Sequence, residues 1–388
     1  MLNFENTETA FRIKSDRDLR RAYRLYKLIS YRWLVKTGNP LIRLASFLRL
    51  PIGWIVKPTV YRQFVGGETL ESCNETVDKL RTGKVSAILD YSVEGKEDDK
   101  DIAAALEETL RSIRNAALNP NIPFAVFKPT AFAKTHALES MSTDPVPSKE
   151  VLNEGKKFRE RVHLLCKAAH DAGIPLLIDA EDTWYQTYID TVVMEMMAEF
   201  NRERAIVFNT YQMYRRDRLE MLRSDYDRAV KGNFFLGAKF VRGAYMEKER
   251  ERARRLKYPD PIQPDKDSTD RDYNRAMEFS VMHIDRISVF SGTHNEKSSL
   301  YLTELMAAEK LEKNDPRIWF SQLYGMSDHI SFNLADQGYN VAKYLPYGPV
   351  RYVLPYLMRR AEENTSVKGQ TGRELNLISK EMKRRKLL

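Results

Sequence analysis

From residue 84 onward the chain repeats one organisation eight times: a short apolar run, often β-branched, then a longer stretch with helical spacing. The runs are residues 85–89, 124–127, 175–178, 205–208, 238–241, 287–290, 318–320 and 341–345. Between them lie segments such as DIAAALEETLRSIRNAAL and SKEVLNEGKKFRERVHLLCKAAHDAG. Strands that alternate with helices pair in parallel, because each helix carries the chain back to the same end of the sheet. Eight such units predict an α/β chain folded as a (β/α)8 TIM barrel, whose usual size is about 250 residues. A doubly wound open sheet competes. It wants a Gly-rich phosphate turn after its first strand, and the chain contains neither GxGxxG nor GxxxxGK[ST].

The strand ends carry chemistry. The runs close on Asp90, Lys128, Asp179 with Glu181, Asn209 with Gln212, Lys239 with Arg242, Thr293-His294-Asn295, Gln322 and Tyr344. In a barrel all eight C-terminal ends meet at one mouth, where active sites of this architecture sit. Taken singly, each polar residue is ordinary turn chemistry. Eight in register make a mouth that mixes cations with carboxylates, which suits an anionic ligand beside an ionisable one. HExxH, GxSxG and zinc-spaced Cys/His clusters are absent from the sequence, and the six histidines are scattered. His163 and His170 read as solvated positions on a surface helix. A basic mouth without a metal set or an activated serine points to a borrowed cofactor.

Charge is concentrated at the front. Residues 1–65 hold 13 Lys/Arg against 4 Asp/Glu, which equals the net charge of +9 for all 388 residues. In RDLRRAYRLYKLISYRWLV, Leu19, Tyr23, Tyr26, Ile29 and Leu34 fall near one helical stripe, and Arg20, Arg24 and Lys27 near another. Pro40 and Pro51 break the pattern into short helices. Two readings stand: docking on an anionic membrane surface, or a helical cap whose basic face is solvated. Nucleic acid is not expected as a partner, since no zinc spacing or RNA-binding aromatic motif accompanies the charge. Two cysteines, Cys73 and Cys166, favour a reducing compartment. With no apolar run of about 18 residues and no signal-peptide pattern, a soluble or peripheral intracellular protein is expected.

Several strings also resemble a known family. FKPTA (127–131), LLIDAEDTW (176–184), VFNTYQMYRRD (207–217), GAKFVRGAYMEKE (237–249), GTHN (292–295), QLYGMSD (322–328) and KYLPYGPVRYVLPYLMRRAEEN (343–364) are similar to proline dehydrogenase, in that family's order. FVGGET (64–69) resembles the stretch before the barrel in stand-alone and mitochondrial-type members. The resemblance implies a distorted (β/α)8 barrel with non-covalent FAD. It implies oxidation of L-proline to Δ1-pyrroline-5-carboxylate by hydride transfer from C5 to flavin N5, with electrons passed to a membrane quinone.

L-proline is a zwitterion, so its carboxylate needs a cation. MRRAEEN sets Arg359 and Glu363 four apart on a helix, with Arg360 adjacent, and two guanidiniums can fork onto one carboxylate. The resemblance adds Lys128 as a third cation and Asp179 as an electrostatic positioner. It places Leu323, Tyr344 and Tyr356 against the ring, with Tyr245 as a further aromatic. For the cofactor it implies Lys239 near flavin N5, favouring reduced flavin. It assigns Val241, Arg242, Gly243, Ala244, Thr293, His294 and Asn295 to the cofactor as well, with Arg242 and His294-Asn295 around the pyrophosphate and ribityl chain. Asn209 and Gln212 lie in the string implied to touch the isoalloxazine; FNTYQ departs from the VQAYQ of many bifunctional members, which bears on Asn209. No metal is expected.

The division expected is a basic, aromatic-rich helical segment over 1–80 and an FAD-binding barrel over 81–388. No aldehyde dehydrogenase follows residue 364 and no ribbon-helix-helix segment precedes the barrel, so a monofunctional enzyme is expected, with a separate pyrroline-5-carboxylate dehydrogenase as partner. The expected location is the bacterial cytoplasm, peripherally on the inner membrane. Hydroxyproline oxidation is the close alternative, since selectivity at Tyr344 rests on small differences. A different barrel enzyme using a phosphate-bearing cofactor, or a basic adaptor without catalysis, are the other classes; an adaptor needs no ring of polar strand ends.

Overall fold

Each apolar run forms a strand, but most strands extend further toward their C-terminal ends than the runs do. In the computed structural model, which describes residues 2–31, 33, 53–92, 97–366 and 370–388, the strands are β1 (Ser86–Tyr91), β2 (Ala125–Phe127), β3 (Leu176–Ile178), β4 (Val207–Gln212), β5 (Leu236–Val241), β6 (Ile287–Gly292), β7 (Ile318–Leu323) and β8 (Val341–Tyr347). They form one sheet in the order β1-β8-β7-β6-β5-β4-β3-β2, and every pair of defined register is parallel. A doubly wound sheet reverses its strand order part-way. Here the order never reverses and β1 lies beside β8, so the fold is the TIM-barrel type.

The extensions move the polar residues. Asn209, Gln212, Lys239, Gln322 and Tyr344 lie inside strands rather than after them. At β4 the start also shifts, for a local reason. The Asn201 side chain accepts from the N–H groups of Ile206 (2.9 Å) and Val207 (2.7 Å) and donates to the carbonyls of Val207 and Phe235. It occupies backbone groups that ladder partners would otherwise take.

The chain forms two compact units, residues 93–321 and residues 1–92 with 322–388. The first has an aromatic floor: Phe124 meets Phe208, Phe290 and Trp319 edge-on, with ring centroids 5.7, 5.1 and 5.3 Å away. Such pairs add about 0.5–1.5 kcal/mol each beyond their buried area. His163 and His170 sit on the outer face of the Lys149–Asp171 helix, His163 beside Glu199 and both against Phe200.

In the second unit the helix Asp16–Ile29 opens with a capping box. Ser15 Oγ accepts from the Asp18 N–H, and Asp18 accepts back from the Ser15 N–H. Leu19, Ala22, Leu25, Tyr26 and Ile29 are buried with Val353, Leu354, Tyr356, Leu357, Met358, Leu377, Ile378 and Met382. The apolar stripe is therefore core, Tyr23 is half-buried at its edge, and Arg20, Arg24 and Lys27 are exposed. Leu34, Pro40 and Pro51 lie outside the described residues.

This unit also buries an ionic pair of lysines around one carboxylate. Asp328 lies 3.0 Å from Lys14 Nζ and 2.9 Å from Lys343 Nζ, and the Lys343 side chain is fully buried. Burial pushes the Asp328 carboxyl up, but the two ammoniums outweigh it and hold it down to about 2. Burial pushes the Lys343 ammonium down, against Asp328. A carboxyl depressed in the fold stabilises above its unfolded value and loses that contribution as pH falls through its folded one. Asp328→Asn should cost about 3–5 kcal/mol in urea unfolding at neutral pH, since it strands two cations. In wild type the same contribution should fade between about pH 4 and about pH 2.

Candidate functional site

In the 93–321 unit, three of the residues singled out in the sequence converge. Lys128 follows β2, Asp179 follows β3, and Lys239 lies within β5. The Asp179 N–H donates to Phe127 O (3.0 Å), which sets the two strand ends side by side. Lys239 Nζ donates to Asp179 Oδ1 at 2.5 Å, while Lys128 Nζ stands 3.7 Å from Oδ2. The three side chains are 6%, 10% and 15% exposed. One carboxylate thus stands against Lys239 at hydrogen-bond distance and against Lys128 further off.

Behind them runs a polar network that sequence reasoning missed. Glu181 accepts from the Thr130 N–H and hydroxyl, both at 2.7 Å, and so fixes the backbone two residues after Lys128. The Glu181 N–H donates to Gln186 Oε1, Gln186 Nε2 donates to Asp190, and Asp190 also accepts from Asn209 Nδ2 (3.0 Å) and Arg218 Nη1 (2.6 Å). Asp217 then ties Arg218 to Arg215. Nearby, burial pushes the Asp225 carboxyl up to about 6, against the hydrogen bond from Tyr211 that lowers it. Asn209 therefore braces β4 against the Thr183–Phe200 helix. Gln212, at the end of β4, is 2% exposed, and its Oε1 meets no donor among the described residues.

A second cluster gathers after β5 and β6. Arg242 donates from Nε to Asp270 (2.6 Å), from Nη1 to Thr293 Oγ1 (2.5 Å) and from Nη2 to Ser298 Oγ (3.0 Å), with its guanidinium 4.4 Å from the Tyr273 ring centroid. Asn295 caps the Glu296–Ala308 helix, accepting from the Ser298 N–H at 3.1 Å. An arginine beside a helix N-terminus is an anion-binding arrangement. Val241 ends β5, His294 is half-buried, and Gly243 and Ala244 expose their backbone. Gly243 has φ +127, and an added Cβ would meet the Tyr214 ring at 2.5 Å, so only glycine fits. Tyr245 leads into the Met246–Leu256 helix, whose Glu249 accepts from the Thr183 N–H (2.7 Å) and hydroxyl (2.6 Å).

In the other unit, Leu323 ends β7, Tyr344 lies in β8 at 6% exposure, and Tyr356, Arg359 and Arg360 lie on the Val350–Ser366 helix. The Arg360 guanidinium sits 5.3 Å from the Tyr356 ring centroid and is 93% buried, while Arg359 is half-buried. Glu363 lies on the same helix; its side chain is outside the described residues.

Comparison with known proteins decides what kind of barrel this is. The family model for proline dehydrogenase matches residues 73–373. This chain belongs to the proline dehydrogenase family. It is thereby an oxidoreductase. The carbapenem antibiotics biosynthesis protein CarD of Pectobacterium carotovorum is 37% identical over 83% of each chain. Proline dehydrogenase 1 of Dictyostelium discoideum is 32% identical over 98% of this chain and 74% of its own. The hydroxyproline dehydrogenase of Xenopus laevis is 32% identical over 97% and 88%. A crystal structure of proline utilization A from Bdellovibrio bacteriovorus superposes with a TM-score of 0.77 at 17% identity, a likeness of fold; the alignment covers 97% of this chain but 44% of that one.

The substrate and cofactor residues singled out in the sequence, from Lys128 to Glu363, fall within the proline dehydrogenase match of 73–373. The Thr130–Glu181 link is a construction of that region with a measurable cost. Glu181→Ala should lower stability by about 1–3 kcal/mol in thermal unfolding, because a buried N–H and hydroxyl lose their acceptors. It should also speed amide exchange at Thr130, next to the segment that carries Lys128.

Proposed function

We propose that this chain oxidises L-proline to Δ1-pyrroline-5-carboxylate with non-covalent FAD, and passes the electrons to a membrane quinone. The observation that carries the reading is the Lys128–Asp179–Lys239 set. Lys128, whose ammonium lies 3.7 Å from Asp179, would meet a substrate carboxylate. Lys239, held tightly, keeps a fixed positive charge where charge develops during the reaction. Arg359 and Arg360 offer a fork suited to a carboxylate, with the Arg360 guanidinium 5.3 Å from the Tyr356 ring centroid. Leu323, Tyr344 and Tyr356 give the ring an apolar wall, with Tyr245 as a further aromatic. Oxidation removes a hydride from C5 and a proton from the ring nitrogen, which leaves the C=N bond of the product.

The residues present fit FAD. Arg242, Thr293, His294 and Asn295 at the helix N-terminus would hold its pyrophosphate and ribityl chain. The exposed backbone of Gly243 and Ala244, beside Val241, allows close approach. The unpaired Gln212 Oε1 calls for an N–H donor, which an isoalloxazine ring carries. When bound, FAD supplies the two-electron acceptor. Asn209, already committed to Asp190, acts by bracing β4.

Among the described residues, no helix is long and apolar enough to cross a membrane. Exposed Arg20, Arg24 and Lys27, with Trp33 at 64% and Trp54 at 75% exposure, support docking on an anionic surface such as the cytoplasmic face of a bacterial inner membrane. A separate pyrroline-5-carboxylate dehydrogenase would consume the product. Hydroxyproline is the second reading, favoured by the nearly full-length likeness to the Xenopus enzyme.

Steady-state kinetics on the FAD-loaded chain test the substrate assignment. Arg360→Met should raise the proline KM by the equivalent of about 2–5 kcal/mol, with FAD content unchanged. Arg360→Lys should recover only part, since an ammonium cannot fork. Lys239→Ala should instead slow turnover and change KM less. An unaltered KM in both Arg359→Met and Arg360→Met would reject the carboxylate clamp. For the membrane, replacing Arg20, Arg24 and Lys27 by Gln should weaken binding to anionic liposomes without lowering the melting temperature, because all three lie on the exposed face. Unchanged liposome binding would reject the docking face.

A further inference from the structure

We propose that the segment before residue 73 builds one wall of the substrate site: Tyr26, Gln63 and Lys14, with Lys343 and Glu374, are positioning residues for Leu323 through the loop that follows it. This rests on the proline reading, in which Leu323 packs against the substrate ring.

The loop joins β7 to the Asp328–Asp336 helix and turns sharply. Gly325 has φ +80, which glycine takes freely, and Ser327 has φ +51, left-handed, which a non-glycine residue keeps only where the surroundings impose it. Three consecutive residues of the turn, Gly325, Met326 and Ser327, each have a backbone group captured by a residue distant in sequence. Gly325 O accepts from Tyr26 Oη (2.7 Å) and from Gln63 Nε2 (2.8 Å). Met326 O accepts from Lys343 Nζ, which also lies 3.5 Å from Leu323 O. The Ser327 N–H donates to Glu374 Oε1 at 2.5 Å. Asp328, the next residue, holds Lys14 and Lys343. A Cβ added at Gly325 would meet the carbonyl oxygen of Gln63 at 2.1 Å, so the loop lies directly on the backbone of residue 63.

The clamp is buried apart from half-buried Lys14: Tyr26 is 1% exposed, Gln63 7%, Glu374 3% and Lys343 0%. Lys14, Tyr26 and Gln63 precede the family-matched stretch of 73–373, and Glu374 follows it. The family region thus supplies the loop and Lys343, while the flanks supply the rest of its mould. The loop leaves the C-terminal end of a barrel strand, where sites of this fold are built. Leu323 itself remains half-buried, with surface to offer. A shift of about 1 Å in such a wall is enough to alter catalysis. Different flanks around the same barrel would therefore present Leu323 differently to a five-membered ring. The clamp is in that sense a specificity device, and it makes use of a segment whose charge suggested only docking or capping.

The test uses the full chain loaded with FAD and the double variant Tyr26→Phe/Gln63→Leu, which removes both donors to Gly325 O and nearly keeps the volume. The proline KM should rise about five- to tenfold, the scale of one lost hydrogen bond, while kcat stays within about twofold. The preference for L-proline over trans-4-hydroxy-L-proline, as a ratio of kcat/KM, should fall. Amide exchange over residues 324–328 should quicken, and exchange in β3–β5 should not change. If wild type oxidises proline and the double variant keeps its KM, its preference and its exchange, the proposal is overturned. If wild type oxidises neither ring, the functional reading fails, and unchanged exchange over 324–328 separately overturns the clamp. Should the double variant not fold, Tyr26→Phe alone is read by the same exchange and KM measurements, with a smaller shift expected and no shift overturning the proposal.

Discussion

A lysine side chain 94% removed from water needs a charge partner, and Asp179 is that partner for Lys239 while also standing 3.7 Å from the less buried Lys128. Its tight bond to Lys239 joins the end of β3 to β5. Its backbone bond to Phe127 and its looser approach to Lys128 join β3 to β2. Everything that follows in this unit depends on that carboxylate being held still, and the Thr130–Glu181–Gln186–Asp190–Arg218 chain holds the strands around it still. Each member is hydrogen-bonded, as buried polar groups must be if they are to rigidify rather than destabilise.

The same physics recurs in the other unit with a different purpose. Asp328 again stands between two lysines, but there the pair seals a turn instead of facing a ligand. Lys343 is fully buried and its remaining protons go to loop carbonyls. The basic N-terminal block divides accordingly. Its apolar stripe and Lys14 face inward as structure, while Arg20, Arg24 and Lys27 face water. Net charge alone could not separate those two populations, because both are drawn from one helix and the loop before it.

The barrel was legible because eight alternations of strand and helix admit few architectures, and the strand order confirms the one chosen. The strand ends were misplaced by a few residues at β4, where the Asn201 side chain takes over backbone groups that no periodicity reports. Lys128, Asp179, Lys239, Arg242 and Asn295 were legible as polar residues closing apolar runs, and the family resemblance implied a role for each. Asp190, Gln186 and Arg218 were not. They sit inside or at the start of helices whose pattern looks like any other buried or amphipathic helix, and Asp190 finds Asn209 and Arg218 at 19 and 28 residues' distance along the chain. The clamp on Gly325 was less legible still, since Tyr26 and Gln63 are 299 and 262 residues distant. Only the fold brings them to the carbonyl. The signal that could have found the turn was local: the glycine of QLYGMSD, two residues after a strand.

The central claim is that this barrel holds a flavin that L-proline reduces. The most direct measurement is the absorbance spectrum of the purified chain under anaerobic conditions, before and after addition of L-proline. The purified chain should be yellow with stoichiometric FAD, released intact on denaturation, and its flavin bands should bleach with the substrate. A colourless protein that takes up no added FAD, or a flavin that stays oxidised in excess L-proline, would contradict it.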